Sequence, residues 1–239
     1  MYENNNPKIG LRDGIPICLG YFSVSFAFGI FATGEGLSVL ESVMISVFNL
    51  TSAGQLAGVP IIADGGSFIE LALTQLIINL RYALMSISLS QKLGDSVRLR
   101  DRFLIAFSNT DEVFAVASAQ HGTVGRKYMY GLIATPILGW TSGTLFGAIA
   151  GNILPAIAVS ALGIAIYAMF IAIVVPVACF DKKTGLCALL SVALSCLFYF
   201  TPVLNSVPSG FVIVICAVLA SVVFAVLFPI PDEEAESDV

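Results

Sequence analysis

Charge is scarce in this sequence. Only 11% of its 239 residues are Asp, Glu, Lys or Arg, against about 25% in soluble globular domains, which excludes a soluble fold with an ordinary charged surface. Histidine occurs once, as His121, and the five cysteines (Cys18, Cys179, Cys187, Cys196 and Cys216) never fall in a C-x-x-C spacing. Metal-ligand spacing is therefore absent and no metal site is expected. The chain has no Ser-His-Asp set, no His-x-x-x-His pair and no phosphate-cradling glycine loop, so neither an enzyme nor a cofactor is expected. It also lacks a basic patch interleaved with aromatics, which argues against nucleic acid. The polar residues Met1–Asp13 lead into an apolar stretch without a small-x-small cleavage site, so that first stretch reads as a retained span rather than a signal peptide.

What is abundant is apolar sequence: 57% of the residues are hydrophobic and mean hydropathy is +0.93. The net charge of −5 comes from the end of the chain, where Asp232, Glu233, Glu234, Glu236 and Asp238 crowd the last eight residues. Leaving out those five of the sixteen acids gives eleven, which matches the eleven bases. The low pI thus describes a short solvated tail and names no partner. A spanning helix needs about 20 mostly apolar residues. The apolar residues form blocks at Gly14–Thr33, Leu37–Ala63, Ser67–Gln91, Phe103–Ala119, Tyr128–Ala150, Ala156–Phe180, Thr184–Thr201 and Val207–Phe228.

Two blocks are interrupted. The second carries Asn49, Thr51, Ser52, Gly54 and Gln55, and the fourth carries Asn109, Thr110, Asp111 and Glu112. The basic residues apart from Arg81 cluster as Lys8/Arg12, Lys92/Arg98/Arg100/Arg102, Arg126/Lys127 and Lys182/Lys183. If all eight blocks crossed fully, the Lys92–Arg102 loop would lie outside, against the positive-inside rule. If the two interrupted blocks enter and turn back, all four clusters lie in the cytoplasm. Irregular backbone is tolerated at membrane depth only where protein or a water-filled cavity covers it. The expected fold is therefore an all-α membrane protein, a multi-pass helical bundle of about six full spans plus two broken or re-entrant segments. A cytoplasmic segment 1–13, a membrane domain 14–229 and an acidic cytoplasmic tail 230–239 follow, in the cell inner membrane. A faint internal echo links Pro16-Ile-Cys-Leu-Gly20-Tyr21-Phe-Ser23 with Pro136-Ile-Leu-Gly139-Trp140-Thr-Ser142; a repeated half and a chance pattern of small residues both explain it.

Charges inside the blocks carry the functional signal, because an ionisable group at the bilayer centre costs about 2.5 to 3.5 kcal/mol on insertion scales. Arg81 is expected to pair with Asp111 or Glu112. The other acid is then left to favour its neutral form and to carry a proton. A purely structural ion cluster is the alternative. Gln75, Asn79, Tyr82, Ser86 and Ser90 are spaced four, three, four and four apart, which places a polar stripe on one helical face, turned to other helices or to a substrate path. The run Asn49-Leu-Thr51-Ser52-Ala-Gly54-Gln55 suits an unwound helix whose N–H groups take a carboxylate and whose carbonyls take an ammonium; a kink with hydroxyls bonded back to the helix is the plainer reading. Glu35, Glu41, Asp64 and Glu70 are expected at the interface, and Trp140 is expected to pack within its helix.

Four stretches, GLRDGIPICLGYFSVSFAFGI, VFNLTSAGQLAG, NLRYALMSISLSQKL and NTDEVFAVA, with a weaker fifth at LGWTSGTLFGAIAGNILP and MFIAIVVP, resemble in order and spacing the AzlC family. These are the large subunits of two-component branched-chain amino acid exporters. The resemblance implies efflux of valine, leucine, isoleucine or similar residues, driven by the proton gradient, and a small membrane partner of the AzlD type. The family pattern Phe-Ala-Gly-x-x-Gln-Phe has Ser52 at its Gly place and Leu56 at its final Phe place here. The family's Asn-x-Arg-His reads Asn79-Leu80-Arg81-Tyr82, so any coupling role of that His is absent from this chain. A passive channel for small solutes is a different class with the same composition.

Overall fold

Most of the helices open with a residue that satisfies their first N–H groups. Asn6 caps α1 (Pro7–Gly34), its side chain accepting from the Lys8 N–H at 3.0 Å, with Pro7 at the first helical position, where a missing N–H is harmless. Ser38 and Glu41 form a reciprocal capping box on α2 (Val39–Phe48), and the Thr51 side chain caps α3 (Ser52–Ala63). Ser67 caps α4 (Phe68–Lys92). The computed structural model describes residues 3–155, 157, 171, 174–175, 178–179 and 181–228. In chain order the remaining helices are α5 (Leu99–Phe107), α6 (Asp111–Ser118), α7 (Arg126–Ile153), α8 (Lys182–Phe200) and α9 (Ser209–Leu227). Five of them, α1, α4, α7, α8 and α9, are long and apolar enough to cross a membrane. The expected span over 156–180 lies almost wholly outside the described residues.

The two interrupted blocks are re-entrant. Leu37, just before α2, packs with Phe28 and Ala32 near the end of α1 and with Val59 near the end of α3. The segment thus enters and leaves at one end of the bundle. α4 then runs to the opposite end, where the Gly94 N–H donates to the Val124 carbonyl at 2.9 Å and the Arg126 N–H donates to Ser96 Oγ at 2.9 Å. A two-stranded parallel sheet, β1 (Glu3–Asn4) with β2 (Thr123–Val124), closes that end. α5 starts there and α6 returns there, since Gln120 bonds both Asn4 at 3.2 Å and Asp13 at 3.4 Å.

α9 begins beside the start of α4, with its Gly210 N–H donating to Glu70 Oε1 at 2.9 Å. Its far end lies against the start of α8, where Lys183 Nζ sits 5.2 Å from the Phe228 ring centre. All four basic clusters therefore gather at one end of the bundle, as the charge pattern predicts for two re-entrant segments. Glu70 departs from expectation: it is buried at 4% exposure, because its carboxylate satisfies the α9 N-terminus rather than facing the interface.

At the heart of the bundle α1 and α7 run parallel, in contact along nearly their whole length. A Cβ added at Gly139 would lie 2.5 Å from the Cys18 carbonyl oxygen, so only glycine permits this approach. The two helices present Tyr21 and Trp140 side by side, with ring centres 5.2 Å apart and edge to face. Trp140 thus packs between helices rather than within its own.

Candidate functional site

The sequence breaks its helices where polar residues interrupt the apolar blocks. α2 ends at Asn49 and α3 resumes after Thr51, while α5 ends at Ser108 and α6 resumes after Thr110. Both breaks face the middle of α4, whose polar stripe is keyed to them. Gln75 Nε2 donates to the Gly54 carbonyl at 2.8 Å, and Asn49 Nδ2 donates to Gln75 Oε1 at 3.4 Å. One turn on, Asn79 Nδ2 donates to the same Gln75 oxygen at 3.1 Å. Two turns further, Asn109 Nδ2 from the second break reaches Ser86 Oγ at 3.1 Å. Ser90 bonds back to its own helix at the Ile87 carbonyl.

Arg81, the fourteenth of the 25 residues of α4, stands at mid-bilayer depth. Its Nη2 lies 2.8 Å from Asp111 Oδ2, donates to the Tyr82 hydroxyl at 3.3 Å and keeps the guanidinium 4.9 Å from the Tyr82 ring centre. The expected pairing of Arg81 with one acid is thus present, and Asp111 is that acid. Glu112, free of the ion pair, accepts a hydrogen bond from the Tyr21 hydroxyl. Arg81 and Asp111 remain 54% and 44% exposed because they face a cavity of about 490 Å³, bounded by Tyr21 and Trp140 on one side and by Ser52, Tyr82 and Glu112 on the other. Small-molecule sites run from about 300 to 1,000 Å³. A second cavity of about 240 Å³ lies between the two breaks and is lined by Asn49, Thr51, Asn79, Tyr82, Asn109 and Thr110. The cavities share Leu50, Tyr82 and Thr110 as walls.

Of the residues singled out in the sequence, the structure brings Asn49, Thr51, Ser52, Asn79, Tyr82, Arg81, Asp111 and Glu112 to one cavity or the other. Gly54, Gln55 and Gln75 line neither. Gln55 is 1% exposed and turns toward α2, its Nε2 donating to the Asn49 carbonyl, to Ser46 Oγ at 3.3 Å and to the Ile45 carbonyl at 3.4 Å. Ser46 in turn bonds Thr144 Oγ1 of α7 at 2.7 Å. Gln55 therefore caps the end of α2, sharing the Ile45 carbonyl with the Asn49 N–H, and through Ser46 bolts the break to α7. At Gly54 an added Cβ would lie 2.5 Å from Gln75 Oε1, so the glycine admits the amide that spans the break. Tyr21 and Trp140 were not singled out as site residues. The signal for them was the internal echo, which aligns Gly20-Tyr21 with Gly139-Trp140.

Broken helices around a charged, mid-bilayer cavity are the architecture of a multi-pass membrane protein of the transporter type. The chain belongs to the AzlC protein family, whose model matches residues 16–154. It is similar to an inner membrane protein of Escherichia coli K12, YgaZ, at 32% identity over 235 residues, covering 94% of this chain and 93% of that protein. It is also similar to an uncharacterized membrane protein of Archaeoglobus fulgidus at 31% identity over 169 residues, 70% of this chain and 74% of that one. No solved structure matches. The chain is a multi-pass protein of the cell inner membrane.

Proposed function

We propose that the chain is the larger subunit of an exporter that carries branched-chain or similar small apolar amino acids out of the cytoplasm, coupled to the proton gradient. The observation that carries this reading is the separation of two carboxylates around one cavity. Asp111 is spent on Arg81, while Glu112 is held only by a tyrosine hydroxyl. Glu112 thus lies outside the ion pair and is held by a neutral hydrogen-bond donor rather than a fixed cation, which supports reading it as the acid used for coupling. Arg81 keeps N–H groups beyond those given to Asp111 and Tyr82, and Ser52 and Ala53, the first residues of α3, line the same cavity. Together they suit a substrate carboxylate. Ile17, Val24, Leu50 and Trp140 supply an apolar wall for a branched side chain.

The end that gathers the basic clusters is assigned to the cytoplasm, with residues 3–13 on that side; the acidic tail expected at 230–239 lies outside the described residues. A small membrane subunit of the AzlD type, implied by the family resemblance, completes the exporter. α8 supports a lateral partner or lipid, because it buries no residue among the described ones. The test is an intracellular amino acid assay during loading with apolar dipeptides, with and without this chain and a small partner. Export lowers intracellular valine, leucine or isoleucine and speeds their appearance outside. No difference for any branched-chain residue overturns the reading, and linear, uncoupled flux in membrane vesicles replaces it with a channel.

A further inference from the structure

The polar stripe of α4 continues past the two cavities around Arg81. Ser86 and Ser90 line a third cavity of about 240 Å³, in the cleft between α4 and α5. Leu93, just past α4, and Leu99, the first residue of α5, line it too, so the cleft reaches the end where the basic clusters gather. Toward the bilayer centre it abuts the cavity between the breaks, with Ala106 and Asn109 lining both. That cavity abuts the one at Arg81 through Leu50, Tyr82 and Thr110. Three spaces thus follow one another along one helix, past Ser90, Ser86 and Tyr82. The inner partition holds Leu50 and Thr110, which lie in the breaks rather than in helices.

Charge along this route has one sign. Arg102 lines the outer cavity and Arg81 the innermost, while no Asp or Glu lines the outer cavity or the one between the breaks. Asp101, beside Arg102 in the chain, is engaged by the Tyr130 hydroxyl and the Arg98 N–H. The first acids met from the cytoplasmic end are Glu112 and Asp111, the latter already paired with Arg81.

We propose that the cleft between α4 and α5 is the cytoplasmic entry for the substrate, taken carboxylate first from Arg102 along the serines of α4 to Arg81. The assignment rests on the transport reading above and deepens it. A cleft walled by low-dielectric protein, with a cation at each end, concentrates anionic groups and repels net positive ones. It admits a neutral amino acid, whose carboxylate can lead, and turns away a basic one, whose net charge is positive. The inner partition is closed in the present arrangement, so arrival at Arg81 requires the two breaks to part.

The experiment is cysteine labelling of the full chain, freed of its native cysteines, in inside-out membrane vesicles. Ser90→Cys and Ser86→Cys are compared with Ile87→Cys, which is 62% exposed on α4 and lines none of the three cavities. Asp95→Cys, in the loop, proves insertion and access of the reagent. The probes are sulfonatoethyl and trimethylammonioethyl methanethiosulfonate, each rate divided by that for a small thiol in solution. Both serine positions are expected to react at least about tenfold faster than Ile87→Cys, because a thiol without water does not ionise. They are expected to favour the sulfonate by about threefold or more, and Arg102→Gln in the Ser90→Cys chain removes that preference. Sulfonate modification of Ser90→Cys stops leucine export. Serine positions as inert as Ile87→Cys, in vesicles where Asp95→Cys reacts, show a cleft filled by lipid and overturn the entry. A rate with no preference for the sulfonate, a preference that survives Arg102→Gln, or export that survives full modification does the same. The labelling pattern in a chain that exports no branched-chain amino acid keeps the charged entry and removes the transport reading instead.

Discussion

Substituting Gly139 by alanine tests the helix contact on which the site is built. The added Cβ would lie 2.5 Å from the Cys18 carbonyl oxygen, 2.8 Å from Cys18 Sγ and 3.0 Å from Cys18 Cα, where ordinary contact begins near 3.4 Å. α1 and α7 must therefore part by roughly 1 Å over at least a turn, since backbone cannot step aside as a flexible side chain does. Overpacking of this kind costs about 1 to 3 kcal/mol. Alanine returns about 0.5 to 1 kcal/mol through its better helix propensity. The net loss against wild type is about 0 to 2.5 kcal/mol, or up to roughly 10 °C in melting temperature for a chain of this size, and the deficit against a glycine-to-alanine change without the clash is the full overpacking cost of about 1 to 3 kcal/mol. Gly34 is the control, because nothing lies within 4 Å of a Cβ there, and Gly34→Ala gains the propensity without the clash. The assay is thermal unfolding at one scan rate in one detergent, followed by the fluorescence of the single tryptophan, Trp140, which sits 5.2 Å from Tyr21 across the same contact. Adding Cys18→Ala rescues only part of the loss, since it removes the sulfur and keeps the carbonyl. Gly139→Ala melting with or above Gly34→Ala would refute the reasoning.

Asp111→Asn combined with Glu112→Gln is expected to abolish gradient-driven export, measured across an imposed pH difference; full coupled transport by the pair ends the proton reading. In a background without native cysteines, Asp95→Cys is expected to react with an impermeant maleimide only from the cytoplasmic face, and labelling from outside sinks the two re-entrant segments. Glu70→Ala leaves the start of α9 without the carboxylate that accepts from Gly210 and is expected to lose about 1 to 3 kcal/mol, with Glu70→Gln losing less. Equal melting of Glu70→Ala and wild type would show that this buried acid supports nothing.

The breaks were legible because polar residues such as Asn49 and Asn109 have no reason to interrupt an apolar block unless the backbone they adjoin is covered. The topology was legible for a second, independent reason. Lys and Arg cannot be dragged across a bilayer cheaply, and one arrangement alone brought their clusters to a single end. The partner of Arg81 followed from the cost of an unpaired charge at mid-membrane, though whether Asp111 or Glu112 would take it did not, since neighbours on one helix differ only in direction. Gln55 was misplaced for the same reason. It sits in the first turn after the break, and only the packing of α3 on α2 decides that its amide faces spent carbonyls rather than the cavity. Tyr21 and Glu112 stand 91 positions apart, and no local pattern links them. Glu70 looked interfacial because the sequence before α4 is a loop, but the N-terminus that it satisfies belongs to a helix some 140 residues later.

One helix, α4, touches every part of the site. Gln75 holds the first break, Ser86 holds the second, and Arg81 holds the acid that starts α6. A rigid rod bonded to two re-entrant segments cannot shift against one without pulling the other. The proposed cytoplasmic end is latched in the present arrangement. Glu3 accepts from Ser96 ahead of α5, and Asn4 donates to Gln120 beyond α6. The first few residues thus pin both ends of the second re-entrant segment. Both contacts are part-buried, and Asn4 itself is only 6% exposed. Tyr21 and Glu112 meet where the α1–α7 pair faces the second broken segment, while Ser46 and Thr144 tie the first broken segment to that same pair.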